Sequence, residues 1–131
     1  MKVLLSVKPE YAEKIMSGCK KYEYRRNIFK TQKVNIIVVY ASNPVKKIIG
    51  EFEIEQILSM ELNELWNKTA NYSGIDKEFY DRYFIGKNIG HAIKIKNPKR
   101  YFSYLDLNSF NVKQAPQSFL YLTNNLIRIK I

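Results

Sequence analysis

The run Asn35-Ile36-Ile37-Val38-Val39-Tyr40 places the strongest constraint on the fold. A nearly continuous stretch of β-branched residues ending in an aromatic one reads as a strand buried inside a sheet, not as an edge strand with one wet face. Such a strand needs apolar cover on both sides. The chain can supply it, because 46% of its 131 residues are hydrophobic. That is enough for one packed domain over residues 1–131 and too short a length for two.

Around this strand the other segments read as short elements. Lys2–Val7 predicts a first strand, stopped by Lys8-Pro9. Pro9 suits the first turn of a helix, where its missing N–H costs nothing. Tyr11, Ala12, Ile15 and Met16 then recur at helical spacing up to a natural stop at Gly18. Lys20–Arg26 predicts a strand with Tyr22 and Tyr24 on one face and Lys21, Glu23 and Arg25 on the other. Ala41–Pro44 is a turn, and Lys47–Leu58 a long strand in which Gly50 marks a bulge or bend. Leu62–Tyr72 and Asp76–Phe84 read as two helices around the turn Ser73-Gly74. Leu62, Leu65, Trp66 and Thr69 share a face of the first; Phe79, Tyr80, Tyr83 and Phe84 form an aromatic stripe in the second, which Asp76 caps. Strands are expected at His91–Lys96, Tyr101–Leu107 and Ser118–Leu122, and Asn124-Asn125 signals a turn into a last strand, Ile127–Ile131. The sum is an α+β fold, a small mixed β-barrel flanked by about three helices, since closure removes exposed sheet edges.

Composition narrows the function classes. Cys19 is the single cysteine, which excludes an internal disulfide and a cysteine-rich zinc site and fits a reducing, cytoplasmic compartment. His91 is the single histidine, so no metal is expected, and no cofactor either. The N-terminus begins like a signal peptide, but its apolar stretch is cut at Lys8-Pro9 and no small-residue cleavage site follows. No run approaches the roughly 20 apolar residues of a membrane helix. A monomer away from membranes is expected. The net charge of +10 is segregated. Residues 1–50 carry 11 Lys/Arg against 3 Asp/Glu, residues 51–90 carry 4 against 8, and residues 91–131 carry 7 against 1. Two basic thirds brought together would make a face that attracts phosphates.

The densest polar constellation is Gly18-x-Lys20-x-x-Glu23-x-Arg25, followed by Arg26. The glycine lets the backbone turn after the helix. Glu23 and Arg25, two apart on a strand, share a face. A guanidinium can bind a phosphate or a planar base edge with a fork of donors. Lys20, once partly desolvated, would have its pKa lowered and act as a general base. The same residues would also make an ordinary salt-bridged surface strand.

Here the chain resembles the ASCH domains of the PUA-like superfamily. The resemblance is carried by Ser6-Val7-Lys8-Pro9, Ala12 and Ile15, Gly18-Cys19-Lys20-Lys21-Tyr22-Glu23-Tyr24-Arg25, Tyr40-Ala41-Ser42-Asn43-Pro44, Ile49-Gly50-Glu51-Phe52, Ala92-Ile93 and Pro116-Gln117-Ser118-Phe119. It implies a β-barrel surrounded by helices, with a cleft beside the first helix that binds RNA or a nucleobase through residues such as Lys20, Glu23 and Arg25. Some small bacterial members of this family look like amidohydrolases of acylated cytidine. In those, the lysine matching Lys20 is the catalytic base, a threonine stands where this chain has Glu23, and a glutamate comes from the region that here offers Glu61 and Glu64. Other members look like ribonucleases or transcription-associated proteins.

Three readings follow. The first is an RNA- or nucleotide-binding module, with phosphate on Lys8, Lys20, Arg25 and Arg26 and a base held by Glu23 and Ser118. Ser42 and Gln117 would join the site, and Tyr40 would stack on the base. The second is a hydrolase of a modified nucleoside or of RNA, with Lys20 as base and Glu23 or a middle-region glutamate as acid. The third is a protein-interaction module in transcription that docks through the acidic helical pair. His91 reads as a strand-end residue, and Cys19 lacks the histidine partner a cysteine nucleophile needs.

Overall fold

The computed structural model describes residues 1–30 and 33–122; the turn and last strand expected after Leu122 lie outside the described residues. Among the described residues six strands and three α-helices run in the order β1 (Lys2–Val7), α1 (Pro9–Ser17), β2 (Tyr22–Arg25), β3 (Ile36–Ala41), β4 (Lys47–Glu61), α2 (Leu62–Thr69), α3 (Lys77–Tyr83), β5 (Ile89–Leu105) and β6 (Phe119–Leu122). They form one mixed sheet in the order β2-β5-β4-β3-β1-β6. β1 and β3 pair in parallel, Lys2 opposite Ile36 through Val7 opposite Ala41. The other neighbours are antiparallel.

The buried central strand is β3, and its cover comes from two sides. Ile37, Val39 and Ala41 join Val3, Leu5 and Val7 of β1 under Ala12 and Ile15 of α1. Val38 and Tyr40 point to the opposite layer, with Leu4, Ile48, Val112 and Leu122. A third cluster packs Leu65 of α2 and Tyr80 and Phe84, on and just after α3, onto Tyr24 and Ala92 of β2 and β5. Apolar residues therefore line both faces of the parallel pair, as a continuous hydrophobic run requires.

The local signals act where expected. Pro9 opens α1, and Gly18 closes it in the left-handed region at φ 87°. Asp76 caps α3 by accepting from Phe79 N–H at 2.8 Å. Gly50 sits where β4 crosses β5, and a Cβ there would collide with the Lys99 carbonyl oxygen and the Met16 sulfur. Two expectations change. His91–Lys96 and most of Tyr101–Leu107 are parts of one 17-residue strand that ends at Leu105, and Leu107 opens a short 3-10 turn instead. The apparent break at Asn97-Pro98 is a bulge between the pairs Glu53–Lys96 and Glu51–Lys99, with Asn97 at φ 51°. The bulge tolerates a proline because its residues leave the ladder. The mixed α+β arrangement is the expected one, but the sheet is not closed into a barrel by hydrogen bonds. Among the described residues β2 and β6 stand at opposite edges of the ladder. Near these edges, side chains of β2 and of the segment entering β6 line a cavity instead.

Candidate functional site

The turn after α1 decides where Lys20 goes. Gly18 reverses the chain, Lys20 N–H donates to the Lys14 carbonyl at 3.0 Å, and the Lys20 side chain passes inward until only 2% of the residue is exposed. Its stem lies against Gly74, where a Cβ would come within 3.1 Å of the Lys20 chain and the backbone has φ 73°. Its ammonium donates to the Ser73 carbonyl. The Ser73 hydroxyl donates to the Ala70 carbonyl at 3.0 Å and so fixes that turn. Tyr11 and Tyr24 present their rings to the ammonium at 5.7 and 5.5 Å. Burial holds Lys20 below the ordinary lysine pKa; Glu23 pulls it back up, and Lys14 and Arg25 push it further down.

Glu23 and Arg25 project from β2 toward the same space, as strand alternation requires. One Glu23 oxygen lies 3.9 Å from the Lys20 ammonium and the other 3.3 Å from the Arg25 guanidinium. Arg25 Nη2 also donates to the Ser6 carbonyl at 2.8 Å, so this side chain links β2 to β1. Arg25 Nε is buried and has no hydrogen-bond partner among the described residues. One carboxylate between two buried cations leaves a net positive centre with a spare donor.

These three residues line a cavity of about 520 Å³. Its walls include Tyr11, Phe79 and Tyr83, and the residues are fixed by one another. Tyr11 meets Phe79 edge to face at 5.4 Å, and Phe79 lies nearly parallel to Tyr83 at 6.5 Å. The Tyr83 hydroxyl donates to the Tyr24 carbonyl at 3.2 Å, and burial raises its pKa. Lys8 and Lys46 are exposed among the lining residues. The Lys8 ammonium lies 5.8 Å from the centre of the Phe79 ring. A buried charged floor, aromatic walls and exposed cations suit a flat polar ring carrying a phosphate.

Of the residues singled out in the sequence, Lys8, Lys20, Glu23, Arg25, Tyr40, Ser42 and Gln117 line this cavity. Two do not. Arg26 is tied to α3, donating to the Tyr83 carbonyl at 3.2 Å, because the strand alternation turns it away from Arg25. Ser118 is outside the lining; its carbonyl accepts from Ser6 N–H at 3.1 Å and anchors the entry to β6. Tyr40 is 5% exposed and belongs to the apolar layer with Leu4 and Ile48, so it offers the cavity an edge of the core rather than a free stacking face. Neither middle-region glutamate reaches the cavity: Glu61 caps α2 by accepting from Asn63 N–H at 2.8 Å and Glu64 N–H at 3.2 Å, and Glu64 is exposed. Glu23 thus supplies the one carboxylate among the described lining residues. His91 shares a hydrogen bond with Ser59 at 2.7 Å outside the cavity, and Cys19 is exposed. Sequence reasoning missed Tyr11, Phe79, Tyr83 and Lys46 as lining residues, and Ser73 and Gly74 as the seat of Lys20. The split of the α3 aromatic stripe was the available signal: Tyr80 and Phe84 are buried in the core, while Phe79 and Tyr83 line the cavity, Tyr83 also packing on the edge of that core.

A family model described as ASCH domain matches residues 5–99. The chain is 31% identical over 122 residues to an ASCH domain-containing ribonuclease of Zymomonas mobilis subsp. mobilis, covering 91% of this chain and 82% of that protein. It is 30% identical over 120 residues to the large ribosomal subunit protein uL22 of Ureaplasma parvum serovar 3, covering 92% of this chain but 39% of that protein. The chain thus spans well under half the length of that relative. The crystal structure of ASCH from Zymomonas mobilis matches with a TM-score of 0.88 at 28% identity, over 97% of this chain and 91% of that one. No helix among the described residues is long and apolar enough to cross a membrane.

Proposed function

Because the chain belongs to the ASCH domain family, we propose that it binds unpaired RNA by taking one nucleobase into the cavity above Lys20, Glu23 and Arg25. One observation carries this reading: a buried guanidinium and carboxylate, 3.3 Å apart, open into a cavity walled by Phe79 and Tyr83. Arginine and glutamate side by side complement a base edge that offers an acceptor beside a donor. The aromatic faces accept a base without regard to sequence, and Lys8 and Lys46 hold its phosphate. A base paired in a duplex cannot enter, so single strands are preferred. The relative named a ribonuclease supports RNA as the ligand class.

A second reading adds cleavage of the bound RNA. It rests on Lys20, whose lowered pKa and position beside Glu23 suit proton transfer. One experiment addresses both. Fluorescence anisotropy with short single-stranded and duplex RNA, repeated over a salt series, should show tighter binding of the single strand. Affinity should fall as salt rises, with a slope that flattens by about 1 unit for each phosphate contact removed in Lys8→Gln or Lys46→Gln. Equal affinity for duplex and single strand contradicts the proposal. The same mixtures run on a gel test cleavage, which should disappear in Lys20→Met; intact RNA throughout removes the second reading alone.

A further inference from the structure

The cavity does not end at Tyr40 and Lys46. Both residues also line a second groove, of about 710 Å³, whose far wall is the segment from Asp106 to Lys113. The two spaces therefore adjoin across one lysine. That lysine has an unusual backbone. Lys46 sits in the left-handed region at φ 55°, which a long side chain seldom adopts. Such strain persists where the surrounding structure enforces it, and ligand clamps are a common place for it. Here the enforcing contacts are visible. Ser42 N–H donates to the Val7 carbonyl at 2.9 Å, and Val45 N–H donates to the Ser42 carbonyl at 3.0 Å, so the turn is pinned to the end of β1. Asn111, on the far wall, is also left-handed at φ 56°.

The groove's charges fit a phosphate. Its one acidic lining residue, Asp106, is engaged by Lys47. Lys46 and Lys113 are exposed and have no carboxylate partner among the described residues. Asn111 also lines the wall, and Leu107 gives it an apolar contact beside the buried Val112. Two cations, an amide and an apolar contact in one groove suit the phosphate and base of a second nucleotide.

We infer that the protein binds at least two consecutive nucleotides. The groove between Lys46 and Lys113 takes the nucleotide next to the one in the cavity, and Lys46 carries the phosphate that joins them. This rests on the single-base reading above and deepens it, assigning the neighbouring nucleotide of the strand to a defined groove.

Calorimetric titration with cytidine, its 3′- and 5′-monophosphates and the dinucleotide CpC tests it, in the unaltered chain and in Lys113→Gln. CpC should bind roughly tenfold tighter than either monophosphate, a gain of the size expected for one further nucleotide contact. Lys113→Gln should remove most of that gain and leave cytidine and both monophosphates unaffected. If CpC binds no better than the tighter monophosphate, or Lys113→Gln weakens all four ligands alike, the second position is overturned while the single-base reading stands. If none of the four binds, the single-base reading falls and this inference with it.

Discussion

Arg25→Lys weakens binding of short single-stranded RNA by about 10- to 100-fold, the range expected when a fork of donors to a base edge is reduced to a point charge. The charge is kept, so Glu23 retains a cation near the place where Arg25 stands at 3.3 Å. What is lost is geometry. One Arg25 nitrogen is committed to the Ser6 carbonyl, while Nε has no partner among the described residues. A lysine ammonium cannot serve the carbonyl, the carboxylate and a base edge in one plane. Anisotropy titration checks the loss, and a thermal melt of the same sample checks that the variant is folded. Unchanged affinity in a folded Arg25→Lys protein would remove the guanidinium from the binding account.

Glu23→Gln lowers stability by about 3 kcal/mol, because removing one partner from a buried ion cluster leaves the others uncompensated. Glu23 is 7% exposed, and Lys20 and Arg25 beside it are 2% and 8% exposed. The amide keeps the shape and removes the anion. For a chain of this length the loss corresponds to a fall of about 10 °C in Tm. The pH dependence gives the effect a signature. Burial already lowers the native Lys20 pKa, and Glu23 is the group that raises it. Without Glu23 it falls further. Between the native value and the unfolded value the unfolded chain binds more protons, so stability rises with pH through that window. The cost of burying charged Lys20 is complete below the native value and is relieved as pH climbs toward the ordinary lysine value. The deficit of Glu23→Gln relative to the unaltered chain should therefore be complete below the native Lys20 pKa of the variant and narrow as pH rises through that of the unaltered chain. Urea unfolding over that range measures it; a deficit independent of pH would mean that Lys20 does not feel Glu23.

Why some of this was readable from the residues, and some not, has a physical basis. Periodicity and punctuation act locally. The apolar run of β3, Pro9 and Gly18 around α1, and Asp76 ahead of α3 each mark their element without help from distant chain. The alternation that puts Glu23 and Arg25 on one face of β2 is equally local. The break expected at Asn97-Pro98 failed because a bulge can hold a proline inside a long strand, and bulges depend on the partner strand. The cavity depends on tertiary contacts throughout. Nothing in Phe79 or Tyr83 distinguishes them from Tyr80 or Phe84 until α3 is docked, when helical spacing sends one pair to the core and the other to the cavity. Ser118 and Arg26 were drawn into the expected site by their neighbours in sequence. In the fold the Ser118 carbonyl anchors β6, and the Arg26 guanidinium holds the end of α3. Glu61 looked available for chemistry because a helix-capping role is defined only by backbone N–H groups two and three residues on.

The central claim is that one unpaired base occupies the cavity, read by Glu23 and Arg25 and flanked by Phe79 and Tyr83. A crystal structure of the chain with a short cytidine oligonucleotide tests it most directly. The account predicts a base inside the cavity, its edge within hydrogen-bonding distance of the Glu23 carboxylate and the Arg25 guanidinium, and its phosphate beside Lys8 or Lys46. An oligonucleotide lying elsewhere on the surface, with Arg25 Nε still unpartnered and the cavity empty, would contradict it.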